Sequence, residues 1–206
     1  MVARPIPIHP ADITWLTDDV ATGGDFDYHP KVAAAQLDDL ISQGVALVID
    51  TRIEADDAEI WDRISGVKYV HLPQDDFQGY HIDATHFDAA VELARAAKAE
   101  GGKVFVHCHM GINRGPSTAF AILLDQGMEP TEAFDLIRAK RPIAAVYYAE
   151  DALRADLARR DTGWNTSAEK LTEFAAHRDQ VFGQLEMAQI QHIIRDTHLK
   201  RGDWFW

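Results

Sequence analysis

Lys103-Val-Phe-Val-His107, then Cys108-His-Met-Gly-Ile-Asn-Arg114, and shortly after it Ser117-Thr-Ala-Phe-Ala-Ile-Leu-Leu124 are the pieces whose order decides the fold. The first is a short apolar run rich in β-branched and aromatic residues, which reads as a buried strand. The last is apolar on nearly every side, as a helix in the middle of a domain must be. Between them lies a glycine-containing loop. Strand, loop and buried helix are the working unit of a layered α/β domain, and the loop falls at the carboxyl end of its strand, where open α/β sheets bind ligands.

Outward from this unit, Val45-Ala-Leu-Val-Ile49 and Lys68-Tyr-Val-His-Leu72 read as two more buried strands, each after a glycine-marked turn. Val32, Leu37, Leu40 and Ile41 stand at helical spacing before Gly44, which suits a helix C′ position. Phe87, Val91 and Ala94 share one helical face, and Gly101-Gly102 breaks that helix before the strand at 103. Pro130 can open a helix whose apolar face is Ala133, Phe134 and Ile137 and which closes at Arg141-Pro142; a further helix is expected over 148–159. The expected fold is therefore α/β, a central and mostly parallel sheet of about four to five strands flanked by helices. After Gly163 a long helical pattern carries Leu171, Phe174, Val181, Phe182, Leu185 and Ile193 and ends in Trp204-Phe-Trp206, which is expected to pack on the core. The chain thus divides into a domain over 1–162 and a C-terminal helical extension over 163–206.

Of the 206 residues, 47% are apolar, enough for a packed core. No stretch approaches the roughly 20 apolar residues that a membrane span needs, and the start lacks the apolar segment of a signal peptide. With a single cysteine no internal disulfide can form, and a free thiol suits a reducing compartment, so a cytoplasmic location is expected. The 33 acidic residues against 20 basic ones give a net charge of −13, which argues against nucleic acid or an anionic membrane as a partner. Any anion site must be local and built from a few aimed groups.

The loop 108–114 can be such a site. The helix after it offers unpaired N–H groups to an anion, five residues between Cys108 and Arg114 suffice to curl around a tetrahedral phosphate, and Arg114 supplies a planar fork for two oxygens. The same positive surroundings favour a thiolate, which is the attacking form of cysteine. Cys108 is then a nucleophile, and His109, Met110, Gly111, Ile112, Asn113 and Arg114 form the phosphate cradle. The neighbouring histidines His71, His81, His86, His107 and His109 do not read as a metal centre, because an arginine inside a metal loop has no purpose, and no cofactor is expected.

This arrangement resembles the signature loop of the protein tyrosine phosphatase superfamily, a His-Cys followed by five residues and an Arg, with Gly111 at the glycine position. Over residues 12 to 160 it looks closest to the compact dual-specificity phosphatases. The resemblance implies a phosphoric monoester hydrolase working through a cysteinyl-phosphate, with a histidine before the cysteine, here His107, orienting the loop. It also implies an acid about thirty residues upstream. Leu72-Pro-Gln-Asp-Asp-Phe77 offers Asp75 and Asp76, and alignment of the preceding strand favours Asp76. The family usually carries a hydroxyl residue directly after the arginine, but here that position is Gly115, so phosphoenzyme hydrolysis is expected to be slow unless Ser117 replaces it. The loop has no lysine of the kind found in relatives acting on inositol phospholipids, so the expected substrate is a phosphorylated protein side chain or a small phosphomonoester, in a shallow pocket. The alternative is a phospho-binding module or inactive relative that keeps the cradle. Nothing in the residues bears on oligomeric state.

Overall fold

The computed structural model describes residues 10–182 apart from 28, 62–65 and 78. Among the described residues twelve elements follow one another: β1 (Ile13–Trp15), β2 (Val20–Gly23), α1 (Pro30–Ser42), β3 (Val45–Arg52), α2 (Ala58–Trp61), β4 (Lys68–Gln74), α3 (Ala84–Ala99), β5 (Lys103–His107), α4 (Arg114–Asp125), α5 (Pro130–Lys140), α6 (Ala149–Arg159) and α7 (Trp164–Phe182). The five strands lie in the order β1-β2-β5-β3-β4. Only β1 is antiparallel to its neighbour; β2, β5, β3 and β4 pair in parallel.

β5 lies in the middle of the sheet, and its alternation serves two cores. Val104 and Val106 face one layer with Leu47, Ile49 and the buried sides of α3, α4 and α6. Phe105 faces the other, with Ala21, Val48, Leu37, Leu40 and Trp61. Each large apolar side chain buried in this way stabilises the fold by about 1.5–3 kcal/mol. From Arg114 to Leu124 every residue of α4 is buried, which is why that segment is apolar all round.

The glycine turns predicted before the strands are present. Gly44, Gly66 and Gly101 all have positive φ, 88°, 88° and 78°, and Gly44 directly follows the C-cap of α1. Two strands went unread: β1 and the four-residue β2 at the amino-terminal edge. β3 runs three residues past Ile49, to Arg52, and α4 begins three residues before Ser117, with Asn113 as its N-cap. α7 brings Phe174, 1% exposed, against the rings of Phe120 and Phe134 at 5.5 and 5.7 Å. Leu171 and Val181 pack on the same core. Leu185, Ile193 and Trp204–Trp206 lie outside the described residues.

Candidate active site

Cys108 follows the last residue of β5 and is 2% exposed; Arg114 opens α4. The chain between them forms a cradle because its carbonyls are tied to the scaffold outside the loop. The carbonyl of His109 accepts from the Asp25 amide at 3.0 Å, those of Met110 and Gly111 from the Arg141 guanidinium at 3.2 and 2.5 Å, that of Ile112 from the Ala145 amide at 2.7 Å and that of Asn113 from the Ser117 amide at 2.9 Å. In a planar trans peptide the N–H of the next residue points the opposite way, and no peptide here is cis. The amides of Met110, Gly111, Ile112, Asn113 and Arg114 are thereby turned to the inside of the loop, at the N-terminus of a helix.

Gly111 is required by this shape. Its φ is +60°, and a Cβ there would lie 2.3 Å from an Arg141 nitrogen and 2.5 Å from the Gly23 carbonyl carbon. Arg141, 4% exposed, is the fastening pin. Besides the two loop carbonyls it holds both carboxylate oxygens of Asp12, at 2.9 and 2.6 Å, and the Thr14 hydroxyl at 3.1 Å. Burial pulls its pKa down to about 10, against the charge of Cys108, so it stays cationic at neutral pH.

The donors of Arg114 are divided between scaffold and site. Nη1 donates to Glu54 Oε2 at 2.7 Å and to the Gln74 carbonyl at 3.1 Å; Nη2 donates to Glu54 Oε1 at 2.7 Å. A guanidinium has five N–H groups, so Nε–H and the second Nη2 hydrogen, which share one edge, are left over. Nε is buried with no hydrogen-bond partner, its nearest carboxylate oxygen being Asp76 Oδ2 at 3.5 Å. Such an orphaned charged donor marks a place where an acceptor is expected. Burial works against this cation, but the Glu54 hydrogen bonds and the charges of Cys108, Glu54 and Asp76 outweigh it and raise its pKa. Reciprocally, the Arg114 hydrogen bonds hold Glu54 down at about 2.

The two acid candidates separate. Asp76 reaches the loop: its Oδ1 accepts from Asn113 Nδ2 at 2.6 Å and from the Tyr148 hydroxyl at 2.9 Å. Asp75, one residue earlier, does not line the cleft that contains Cys108. That cleft has a volume of about 1190 Å³. Around Cys108 and the loop it is walled by Asp76, Phe77, Tyr80, Tyr147 and Tyr148, and Arg154 and Arg178 line it as well. Phe77 and Tyr147 are exposed at its mouth.

His107 is fully buried beneath the loop, its ring stacked on Phe105 at 5.4 Å, and burial pushes its pKa down despite Asp50 nearby, leaving it neutral. Its carbonyl accepts from the Thr51 hydroxyl at 2.8 Å. His109 is half-buried; its Nδ1 lies 2.5 Å from Asp25 Oδ2, and that hydrogen bond raises its pKa. Ser117 is buried, and its Oγ accepts from the Tyr148 amide at 3.3 Å. The histidines considered for a metal are dispersed among separate partners, His71 on the Arg52 carbonyl, His81 on Asp151 and His86 on Thr118. Asp50, Asp57 and His107 do come together. The cation among those carboxylates is Arg52, at 2.5 Å from both. Glu54, Asp25 and Tyr148 were not found from the sequence, since each reaches the site from a distant segment with no spacing to betray it.

Residues 28–147, more than half of the chain, match the family model for the dual specificity phosphatase catalytic domain. Among curated proteins, the rat dual specificity protein phosphatase 5 is 32% identical over 78 residues, 37% of this chain and 20% of that protein. The Arabidopsis thaliana dual specificity protein phosphatase 1 is 36% identical over 61 residues, 29% of this chain and 31% of that protein. The alignments thus span only a fifth to a third of these relatives. Among solved structures, a mouse putative dual specificity phosphatase complexed with zinc tungstate superposes with a TM-score of 0.61 at 19% identity, over 77% of this chain and 95% of that one. With its parallel sheet, its strand-to-helix loop around Cys108 and this match across the middle of the sequence, the chain belongs to the dual specificity phosphatase catalytic-domain family.

Proposed function

We propose that the protein hydrolyses phosphoric monoesters, on phosphorylated protein side chains or small molecules, through a cysteinyl-phosphate on Cys108. The observation that carries this reading is the loop itself, five inward amides and an unspent guanidinium edge gathered around one buried cysteine. Binding a phosphate needs the amides and Arg114 but neither a thiol nor a carboxyl group at the mouth, which weighs against a binding module.

In the first step the Cys108 thiolate attacks phosphorus; the S–P bond forms as the bond to the leaving oxygen breaks, and Asp76 gives that oxygen its proton. The amides and Arg114 stabilise the three equatorial oxygens. In the second step Asp76 takes a proton from water, the hydroxide oxygen bonds to phosphorus, and the S–P bond breaks to return the thiolate and inorganic phosphate. Among the described residues, those up to 162 supply every group in this scheme, and of those from 163 only Arg178 lines the cleft. His107 and Ser117 support the loop from beneath, and neither step calls for a metal.

The test is rapid-quench turnover of p-nitrophenyl phosphate. Wild type is expected to release a first equivalent of nitrophenol in a burst while Cys108 carries a phosphoryl group that mass spectrometry locates after acid quench. Cys108→Ser is expected to release none. Undiminished turnover by Cys108→Ser, or tight phosphate binding without turnover by wild type, overturns the reading.

A further inference from the structure

Asn113 is the N-cap of α4, and asparagine is among the best capping residues because its side-chain oxygen can accept from the helix's first free amides. Here it makes no capping hydrogen bond. Its side chain, 5% exposed with the rest of the residue, is spent elsewhere. Oδ1 accepts from the Tyr147 amide at 2.7 Å, which fixes the orientation of the amide group, because an N–H can only face the oxygen. Nδ2 is thereby left to donate to Asp76 Oδ1 at 2.6 Å.

A second donor meets the same oxygen. The Tyr148 hydroxyl donates to Asp76 Oδ1 at 2.9 Å, and Tyr148 is itself held, 4% exposed, with its ring edge-on to Tyr80 at 6.0 Å and its amide on Ser117 Oγ. Burial and the Asp76 hydrogen bond raise the Tyr148 pKa, so the phenol keeps its proton and remains a donor. Tyr80 in turn donates to Gln74 and lies against Phe77, both in the segment that carries Asp76. One carboxylate oxygen of Asp76 thus takes two hydrogen bonds, whereas Oδ2 takes none among the described residues and has only the Arg114 Nε at 3.5 Å. An oxygen that already accepts from two donors has little room to carry a proton; the other does not share that restriction.

We propose that Asn113 and Tyr148 are positioning residues for proton transfer: they hold Asp76 by Oδ1 and leave Oδ2 as the oxygen that gives the proton to the leaving group and takes one from water. The proposal rests on the phosphatase reading above. It explains why the helix gives up a side-chain cap at the residue before Arg114. It also makes the acid carboxyl part of one hydrogen-bonded unit with the loop, so acid and cradle keep their relative positions to within a hydrogen-bond length, as general acid catalysis requires.

The experiment is a leaving-group series. For aryl phosphates graded by the acidity of their phenols, kcat/KM reports the first chemical step and is blind to phosphoenzyme hydrolysis. Wild type is expected to be nearly insensitive to the phenol, because a positioned acid protonates every leaving group. Asn113→Ala and Tyr148→Phe are each expected to lose about 10-fold on phenyl phosphate and only about threefold on p-nitrophenyl phosphate, a fraction of the ~10²-fold a general acid supplies. Their inhibition constants for inorganic phosphate should stay within about twofold of wild type, which establishes an intact cradle. In an Asp76→Asn background neither substitution should add a leaving-group-dependent loss. Equal losses on all phenols, or further leaving-group dependence in the Asp76→Asn background, overturn the proposal. If Asp76→Asn itself leaves the series flat, the assignment of Asp76 as acid fails and takes the proposal with it. If wild type turns over nothing, the phosphatase reading is what fails.

Discussion

Two buried arginines with nearly equal side-chain exposure, 6% for Arg52 and 7% for Arg114, have opposite fates. Arg52, at the end of β3, engages all three nitrogens: Nε donates to both oxygens of Asp50 at 2.9 and 3.1 Å, Nη2 donates to Asp50 and Asp57 at 2.5 Å each, and Nη1 forms an ion pair with Asp25 at 3.1 Å. Arg114 commits one edge to Glu54 and the Gln74 carbonyl and keeps the other unspent, with Nε buried and unpartnered. An unsatisfied buried donor costs about 1–3 kcal/mol; the Nε of Arg159 is also buried without a hydrogen-bond partner, so what singles out the open edge of Arg114 is its place on the loop that holds Cys108. In the proposed reading the spent fork is scaffold and the unspent one belongs to the site. Burial and charge alone do not tell them apart; the open edge of Arg114 and its place beside Cys108 do.

The largest expected effect exploits that difference. Arg114→Lys keeps a cation opposite Glu54 but has no planar edge for two equatorial oxygens, and aryl phosphate turnover should fall about 10³-fold with little change in urea unfolding. Arg52→Met should do the reverse. It leaves Asp50, Asp57 and Asp25 without their cation and should cost about 3–5 kcal/mol in urea unfolding, while kcat per folded molecule stays within a few-fold. A stable Arg52→Met protein, or an active Arg114→Lys one, breaks the comparison.

Much of this was legible in the sequence because it was local. β3, β4 and β5 announce themselves by short β-branched runs after glycines, and α4 by being apolar all round between residues 117 and 124. The cradle could be read because its cysteine, glycine and arginine lie within seven residues of one loop. β1 and β2 were missed because three and four residues are too few for a period, and Gly23 inside β2 reads as a turn. Glu54 was missed for a different reason. It stands in a loop of several acids, 60 residues before Arg114, and nothing in a linear pattern separates a carboxylate that orients an arginine from one that is merely solvated. The apolar stripe of α7 was visible, but a stripe does not say what it packs against. Phe174 between Phe120 and Phe134 is a tertiary fact.

Glu54 gives the next effect in size. By taking the Nη1–Nη2 edge it turns the Nε–Nη2 edge of Arg114 to the loop, and Glu54→Gln, which accepts one hydrogen bond in place of two, should lower kcat/KM about 10-fold. Its pH behaviour is distinctive. The Glu54 carboxyl is held from 4.5 down to about 2, so the pair's contribution to stability is fully present above the unfolded value and is lost as pH falls through about 2. The pH–rate profile between 5 and 8 should therefore have the same shape in wild type and Glu54→Gln. Their difference in melting temperature should shrink as pH drops from about 4.5 toward 2. A difference that grows on acidification contradicts the pairing.

The smallest effect lies beside the proposed nucleophile, at the second position of α4, where Gly115 replaces the hydroxyl residue usual in the family. A Cβ at 115 would stand 3.1 Å from the Cys108 amide nitrogen and 3.1 Å from the His107 carbonyl carbon, tight but within reach of a shift of a few tenths of an ångström. A serine there places its oxygen against Cys108, where it can donate to the sulfur as the S–P bond breaks. Ser117, the other hydroxyl residue of this turn, has its Oγ accepting from the Tyr148 amide at 3.3 Å and keeps a hydroxyl proton. Gly115→Ser is accordingly expected to speed the steady-state phase after the burst by only about threefold to tenfold, the worth of about 1 kcal/mol, and to leave the burst rate alone. Gly115→Ala carries the same Cβ without the oxygen and isolates its steric cost. If serine and alanine behave alike, the hydroxyl has no work to do at 115, and phosphoenzyme hydrolysis is limited by the placement of water at Asp76 rather than by the release of sulfur.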